Sequence, residues 1–245
     1  ISDMNFLHIA FLFFGTGLVS LAATGLTLRM LKRRNIVDTP NERSSHETPT
    51  PRGGGLAVIL VILIIWGLSL GGAIQTYQWL LVATLFIGAI SWIDDLRSLP
   101  ASIRLASQFI AVGLVFWLMP ASNLYFHGIL PLWLDNLCAL FLWVWFINLF
   151  NFMDGIDGIS VVEASSIGLG LFLLMMIGAA QMTLGLLGLV IAAASLGFLW
   201  WNWHPAKVFL GDVGSVPLGF LLGWLLLEVL ASPLWPVAII LPLYY

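Results

Sequence analysis

The stretch Gly54–Gly72, GGLAVILVILIIWGLSLGG, decides the fold: 19 residues without a charge, rich in Leu, Ile and Gly. A helix of that length rises about 28 Å, close to the hydrocarbon thickness of a bilayer. A membrane β-strand would instead alternate apolar and polar residues over about ten positions. Because the run is continuous, it reads as a membrane-crossing helix. Further runs of this kind lie at 6–28, 77–93, 104–120, 132–150, 159–180, 182–201, 215–231 and 234–245. The expected fold is all-α, a polytopic membrane bundle of about nine spans.

Composition supports this. Of the 245 residues, 60% are hydrophobic and 9% are charged, where a soluble domain carries about 25% charged residues. So few charges cannot cover a water-facing surface. The net charge of −3 decides little beside where the charges fall. A lone cysteine, Cys138, excludes an internal disulfide and reads as a packing residue.

Charge placement sets the expected topology. The basic residues are Arg29, Lys32, Arg33, Arg34, Arg43, Arg52, Arg97, Arg104 and Lys207, all on one side of the spans. The opposite connections, near 72–77, 120–131, 180–182 and 231–234, carry neither Lys nor Arg. By the positive-inside rule the basic side is cytoplasmic and the N-terminus periplasmic. The cytoplasmic loops fall at about 29–53, 94–103, 151–158 and 202–214, within a single transmembrane catalytic domain over 1–245. Ile1 in place of an initiator Met, and Tyr244-Tyr245 inside an apolar run, suggest a piece of a longer chain cut at its C-terminus.

Five carboxylates gather on that same side: Asp94, Asp95, Asp154, Asp157 and Asp212. Consecutive acidic segments are separated by enough apolar chain for two crossings, which return the chain to the side it left. An ionised side chain at bilayer depth costs about 2.5–3.5 kcal/mol on insertion scales, so acids placed here point to function. In Asn148-Leu149-Phe150-Asn151-Phe152-Met153-Asp154-Gly155-Ile156-Asp157-Gly158 the polar residues recur every three positions, which places them on neighbouring positions of a helical turn. Hard oxygen ligands of this kind suit Mg²⁺ held with substrate phosphate. The spacing does not match a Ca²⁺-binding EF-hand loop.

Two further segments carry chemistry. Thr50-Pro51-Arg52-Gly53-Gly54-Gly55 places glycines at a loop-to-helix junction, where backbone can approach a ligand and a helix N-terminus favours anions. Trp201-Asn202-Trp203-His204-Pro205-Ala206-Lys207 precedes Phe209-Leu210-Gly211-Asp212-Val213-Gly214-Ser215. There Lys207 can neutralise phosphate, and His204 fits a headgroup-level structural role better than that of a base.

Together these segments resemble the polyprenyl-phosphate N-acetylhexosamine-1-phosphate transferases, glycosyltransferase family 4, which include the phospho-N-acetylmuramoyl-pentapeptide translocase. The matching blocks are Asn41-Glu42-Arg43-Ser44 with His46 and the Arg52 loop, Asp94-Asp95, Asn148 through Gly158, and Phe209 through Ser215. The Arg52 loop most resembles the bacterial branch that starts O-antigen and related glycans. The resemblance implies Mg²⁺, with Mn²⁺ as the alternative ion, held by Asp212 and Asn151, with Asp212 also catalytic. It implies Asp157 near uridine and catalytic Asp94 and Asp95 near the attacking lipid phosphate. Asn148, Asp154, Lys207, Arg104, His46, Arg52 and Asn202 complete the expected substrate-binding set. Arg104 stands where relatives often carry Lys. The family's His/Arg-rich loop after the ninth span is absent, as truncation would leave it.

The implied activity is transfer of N-acetylhexosamine 1-phosphate from a UDP-sugar to undecaprenyl phosphate, with UMP released. The implied location is the bacterial inner membrane, with the active site on the cytoplasmic face. The expected partners are those two substrates and the lipid bilayer, with no nucleic acid, and a homodimer is an option because some relatives are dimeric. The rival reading is a transporter of cations or nucleotide sugars, whose acids would lie near the bilayer midplane.

Overall fold

The computed structural model describes residues 6–40, 48–119 and 124–243. It bears out the all-α bundle. The helices are α1 (Phe6–Arg33), α2 (Gly55–Leu70), α3 (Ile74–Arg97), α4 (Ala101–Leu118), α5 (Leu132–Met153), α6 (Ile159–Met176), α7 (Met182–Asn202), α8 (Asp212–Leu230) and α9 (Trp235–Ile240).

Helices α2 and α3, joined by a tight turn at Gly71–Ala73, form a helical stretch of 43 residues. Drawn straight it would span about 64 Å. Yet Arg52, just before α2, lies 2.8 Å from Asp95 near the end of α3. The chain therefore doubles back at Gly71, whose φ of 50° suits glycine. Among the described residues the nine expected spans become eight long helices and a six-residue α9.

Helix α8 is the axis of the bundle. It is apolar on all sides and buried along nearly its whole length, in contact with α2, α3, α5, α6, α7 and α9. A helix apolar all round belongs inside a bundle or against lipid. α1 takes the second course, leaving Phe6, Leu7, Phe11 and Phe14 exposed.

The helices overrun the apolar stretches that announce them. α3 continues to Arg97, α5 to Met153, and α8 opens at Asp212. Asp94, Asp95, Asn151 and Asp212 consequently sit on helical turns rather than in the loops drawn for them. The described parts of the polar connection after α1 are pinned as well. Strand β1 (Val37–Asp38) pairs antiparallel with β2 (Thr50–Pro51). Phe209 then bonds along the same edge, its N–H donating to Pro51 O at 2.8 Å and its carbonyl accepting from Gly54 N–H at 2.9 Å.

This contact gives the glycine run its purpose. A Cβ on Gly55 would lie 2.2 Å from Gly214 Cα, so only glycine lets the start of α2 meet the first turn of α8. The expectation that these glycines admit a ligand gives way to a packing role, because the Trp92 ring at Gly53, Phe198 and Val208 at Gly54, and the Gly214 backbone at Gly55 already fill the space.

Candidate active site

The first turn of α8 organises the site. Its leading N–H groups have no partner within the helix. Asp95 supplies partners from α3: Oδ1 accepts the Asp212 N–H at 3.0 Å and Oδ2 the Val213 N–H at 2.9 Å. A carboxylate at a helix N-terminus also meets the positive end of the helix dipole. The Asp95 side chain is fully buried and takes a third partner, Arg52 Nε, at 2.8 Å.

Arg52 spans two acids. While Nε meets Asp95, one terminal nitrogen lies 2.9 Å from Asp212 Oδ1. Arg104, from α4, makes a looser bridge, with one nitrogen 3.5 Å from Asp94 Oδ2 and 3.9 Å from Asp212 Oδ2. Asp94 also accepts the Leu99 N–H through Oδ1, holding the turn between α3 and α4. Two guanidiniums are thus interleaved with three carboxylates, and Asp212 faces both. Arg52 and Arg104 remain partly exposed, while the acids are nearly buried.

Asn151 joins from α5. Its Oδ1 accepts the hydroxyl of Ser215, one turn into α8, which sets the amide beside the helix that Asp212 opens. Three residues on, Asp154 interacts with Ser160 and with the charges of Asp212, Arg52 and Asp95. Its carboxyl is pushed up to about 8, chiefly by burial, with the Ser160 hydrogen bond opposing and Asp212 reinforcing. Burial therefore favours the neutral form of Asp154.

The two neighbouring loops are stitched to each other. Asp157 Oδ2 contacts His204 Nδ1 at 2.9 Å and accepts the Ala206 N–H at 3.0 Å. Asn202 Oδ1 accepts the Gly158 N–H, and its Nδ2 donates to Val208 O, each at 3.0 Å. Asn202 is buried and braces backbone on both sides. Lys207 is exposed, its Nζ 5.7 Å from the centre of the Trp201 ring, and it makes no ion pair among the described residues. His46 lies outside the described residues.

A cavity of about 400 Å³ opens beside the acids, between α3, α4 and α5. Asp94, Arg104, Asn148 and Asn151 form its polar part, and Ile90, Leu105, Phe152 and Val216 its apolar part. Gln108 lines it too, a residue the sequence reading passed over. Its only sequence signal was an amide one turn after Arg104 in a mostly apolar helix.

The structure brings Asp94, Asp95, Asp212, Arg52, Arg104, Asn148 and Asn151 to one end of the bundle. Asp154, Asp157 and Asn202 are in the adjoining loops. Such a grouping can bind a diphosphate and a second phosphate side by side.

Known proteins share this arrangement of sequence. The model of glycosyl transferase family 4 matches residues 77–230. The decaprenyl-phosphate N-acetylglucosaminephosphotransferase of Mycobacterium leprae is 33% identical over 233 residues, which is 84% of this chain and 57% of that relative. A phospho-N-acetylmuramoyl-pentapeptide-transferase of Synechococcus is 35% identical over 232 residues, 86% of this chain and 65% of its own length. An Oceanobacillus iheyensis protein of that same name is 30% identical over 232 residues, 82% of this chain and 69% of its own. The chain thus spans 57% of the length of the mycobacterial relative. The match runs from the helix bearing Asp94 and Asp95 to the helix opened by Asp212, and the chain belongs to glycosyl transferase family 4.

Proposed function

We propose that this site transfers N-acetylhexosamine 1-phosphate from a UDP-sugar to a polyprenyl phosphate, undecaprenyl phosphate in a bacterial inner membrane. One observation carries the reading: Asp212, at the head of α8, faces Arg52 and Arg104 at the edge of a half-apolar cavity. Acids interleaved with arginines suit two phosphorylated substrates, and the cavity suits one that is also a lipid.

Each group has a part. Arg104 receives the lipid phosphate at the polar end of the cavity, with the prenyl chain along Ile90, Leu105 and Phe152. Arg52 takes the diphosphate, its planar fork matching phosphate oxygens. Both oxygens of Asp95 are already committed to the α8 N-terminus and Arg52, so it positions rather than reacts. Asp94 lines the cavity with Oδ1 held by the Leu99 N–H and Oδ2 only loosely paired with Arg104 at 3.5 Å, and that looser oxygen is the one placed to keep the lipid phosphate deprotonated. The loops holding Asp157 and Asn202 take the uridine.

The donor set suits Mg²⁺. Asp212 and Asn151 are hard oxygen ligands on adjoining helices, and among the described residues no cluster of three His, Cys, Asp or Glu side chains could hold an ion alone. Mg²⁺ commonly takes one or two carboxylates and fills its shell with water and phosphate. Bound there, it would neutralise the diphosphate and ease departure of UMP.

The bonds balance. A phosphate oxygen of the lipid bonds to the β-phosphorus of the UDP-sugar, the bridging P–O bond breaks, and UMP leaves with that electron pair. One phosphoanhydride replaces another, so little driving force is available and catalysis rests on positioning and charge. Phosphate is already a competent nucleophile, which favours direct attack over a covalent aspartyl intermediate. The test supplies membranes containing this chain with doubly labelled UDP-N-acetylglucosamine and undecaprenyl phosphate. UMP and lipid-linked sugar forming in equal amounts would support the reading. Label accumulating inside sealed vesicles without UMP would overturn it in favour of a transporter.

A further inference from the structure

Helix α4 places Gln108 one turn beyond Arg104, buried and on the wall of the same cavity. Its amide faces that of Asn148 on α5. Gln108 Nε2 donates to Asn148 Oδ1 at 3.3 Å, and Asn148 Nδ2 donates back to Gln108 Oε1. Asn148 Nδ2 also donates to Val144 O at 2.8 Å. A backbone carbonyl can only accept, so this last bond fixes which end of the Asn148 amide is nitrogen. Orientation then passes to Gln108, whose nitrogen must face Asn148 Oδ1.

The count of donors follows. An amide nitrogen carries two hydrogens. Asn148 commits both, to Gln108 and to Val144. Gln108 commits one to Asn148 and keeps a second, with no acceptor given to it among the described residues. A buried donor without an acceptor is costly. Gln108 lines a cavity whose lining cation is Arg104, and that pairing of donors suits an anionic oxygen.

We propose that Gln108 donates its second N–H to the phosphate of the lipid acceptor, beside Arg104, and that Asn148 holds it in the orientation to do so. This rests on the reading of the cavity as a polyprenyl-phosphate site. Arg104 supplies charge on a flexible, partly exposed side chain. Gln108 supplies a fixed direction, so it discriminates a phosphate headgroup from an uncharged one.

The test compares binding of undecaprenyl phosphate and undecaprenol to the purified chain by native mass spectrometry. The two ligands share a tail and differ at the headgroup. Gln108→Met keeps length and removes both donors. Gln108→Glu keeps an acceptor for Asn148 Nδ2 but sets a carboxylate against the phosphate. The wild type should prefer the phosphate, and Gln108→Met should lose about tenfold of that preference with undecaprenol binding unchanged. Gln108→Glu should lose more. A pure brace for Asn148 would give the opposite ranking, with Glu better tolerated than Met. Full preference in Gln108→Met, or Glu nearer wild type, would overturn the proposal. If Gln108→Met loses undecaprenol binding through misfolding, Gln108→Glu decides alone, because its unchanged preference would be equally fatal. A wild type without any phosphate preference would instead remove the lipid-phosphate reading of the cavity.

Discussion

Asp95 and Asp135 begin from the same local chemistry. Both are buried carboxylates on helices, and each accepts two backbone N–H groups. Asp95 takes those of Asp212 and Val213, and Asp135, in the first turn of α5, takes those of Tyr125 and Phe126, each at 2.9 Å. Their surroundings differ. Asp95 meets Arg52, which continues to Asp212, whereas Asp135 makes no salt bridge among the described residues. A buried acid at a helix end is thus not a site by itself. It becomes part of one when loops distant in sequence deliver cations that a phosphate can share.

The largest effect should come from removing the acid that both arginines face. Asp212→Ala should lower the rate of UMP release about 10³-fold, on the scale of losing a preorganised charge contact. Retained Mg²⁺-dependent transfer would refute its assignment. Next comes the cation that distinguishes the two ends. Arg52→Lys keeps the charge but cannot meet Asp95 and Asp212 through separate nitrogens of a planar fork. A loss of about 10–100-fold in kcat/KM for the UDP-sugar is expected, and equal activity would show that charge alone suffices.

Stability should separate the regions in the other direction. Asp135→Asn puts an NH₂ group against a backbone donor and should cost about 1–3 kcal/mol, read as a lower melting midpoint in detergent. A pH-dependent effect belongs to Asp154. Its ordinary value is 3.8 and the folded value about 8, so between those limits the folded state holds a proton that the unfolded state has released. The stability contributed by the protonated form is fully present below about pH 4. It falls as pH rises toward 8, by at most about 1.4 kcal/mol per pH unit. Asp154→Asn should flatten that slope, and an unchanged slope would place the titration elsewhere.

The sequence made the helices legible because continuous apolar runs admit few other structures. Counting crossings brought the acids to one side before any contact was known. It could not show which of them is free to react. Asp95 caps a helix that begins 117 positions later, and Arg52 reaches Asp212 across 160 positions, so neither link leaves a local pattern. The neighbouring Asp94 and Asp95 read as equivalent, yet α3 turns one toward the cavity and the other into the α8 N-terminus. Gln108 was missed for a related reason, since one amide in an apolar helix gains meaning only when Asn148 is set opposite. Helix ends were misplaced by a turn because hydropathy marks the bilayer core, while hydrogen bonding carries the helix past it.

The paired variants Asp95→Asn and Asp135→Asn test the central claim most directly, with UMP release measured per folded molecule. Asp95→Asn should fall about 100-fold, because Arg52 and the head of α8 lose their common anchor, while Asp135→Asn should match wild type. Equal losses in the two, or none in Asp95→Asn, would contradict the account.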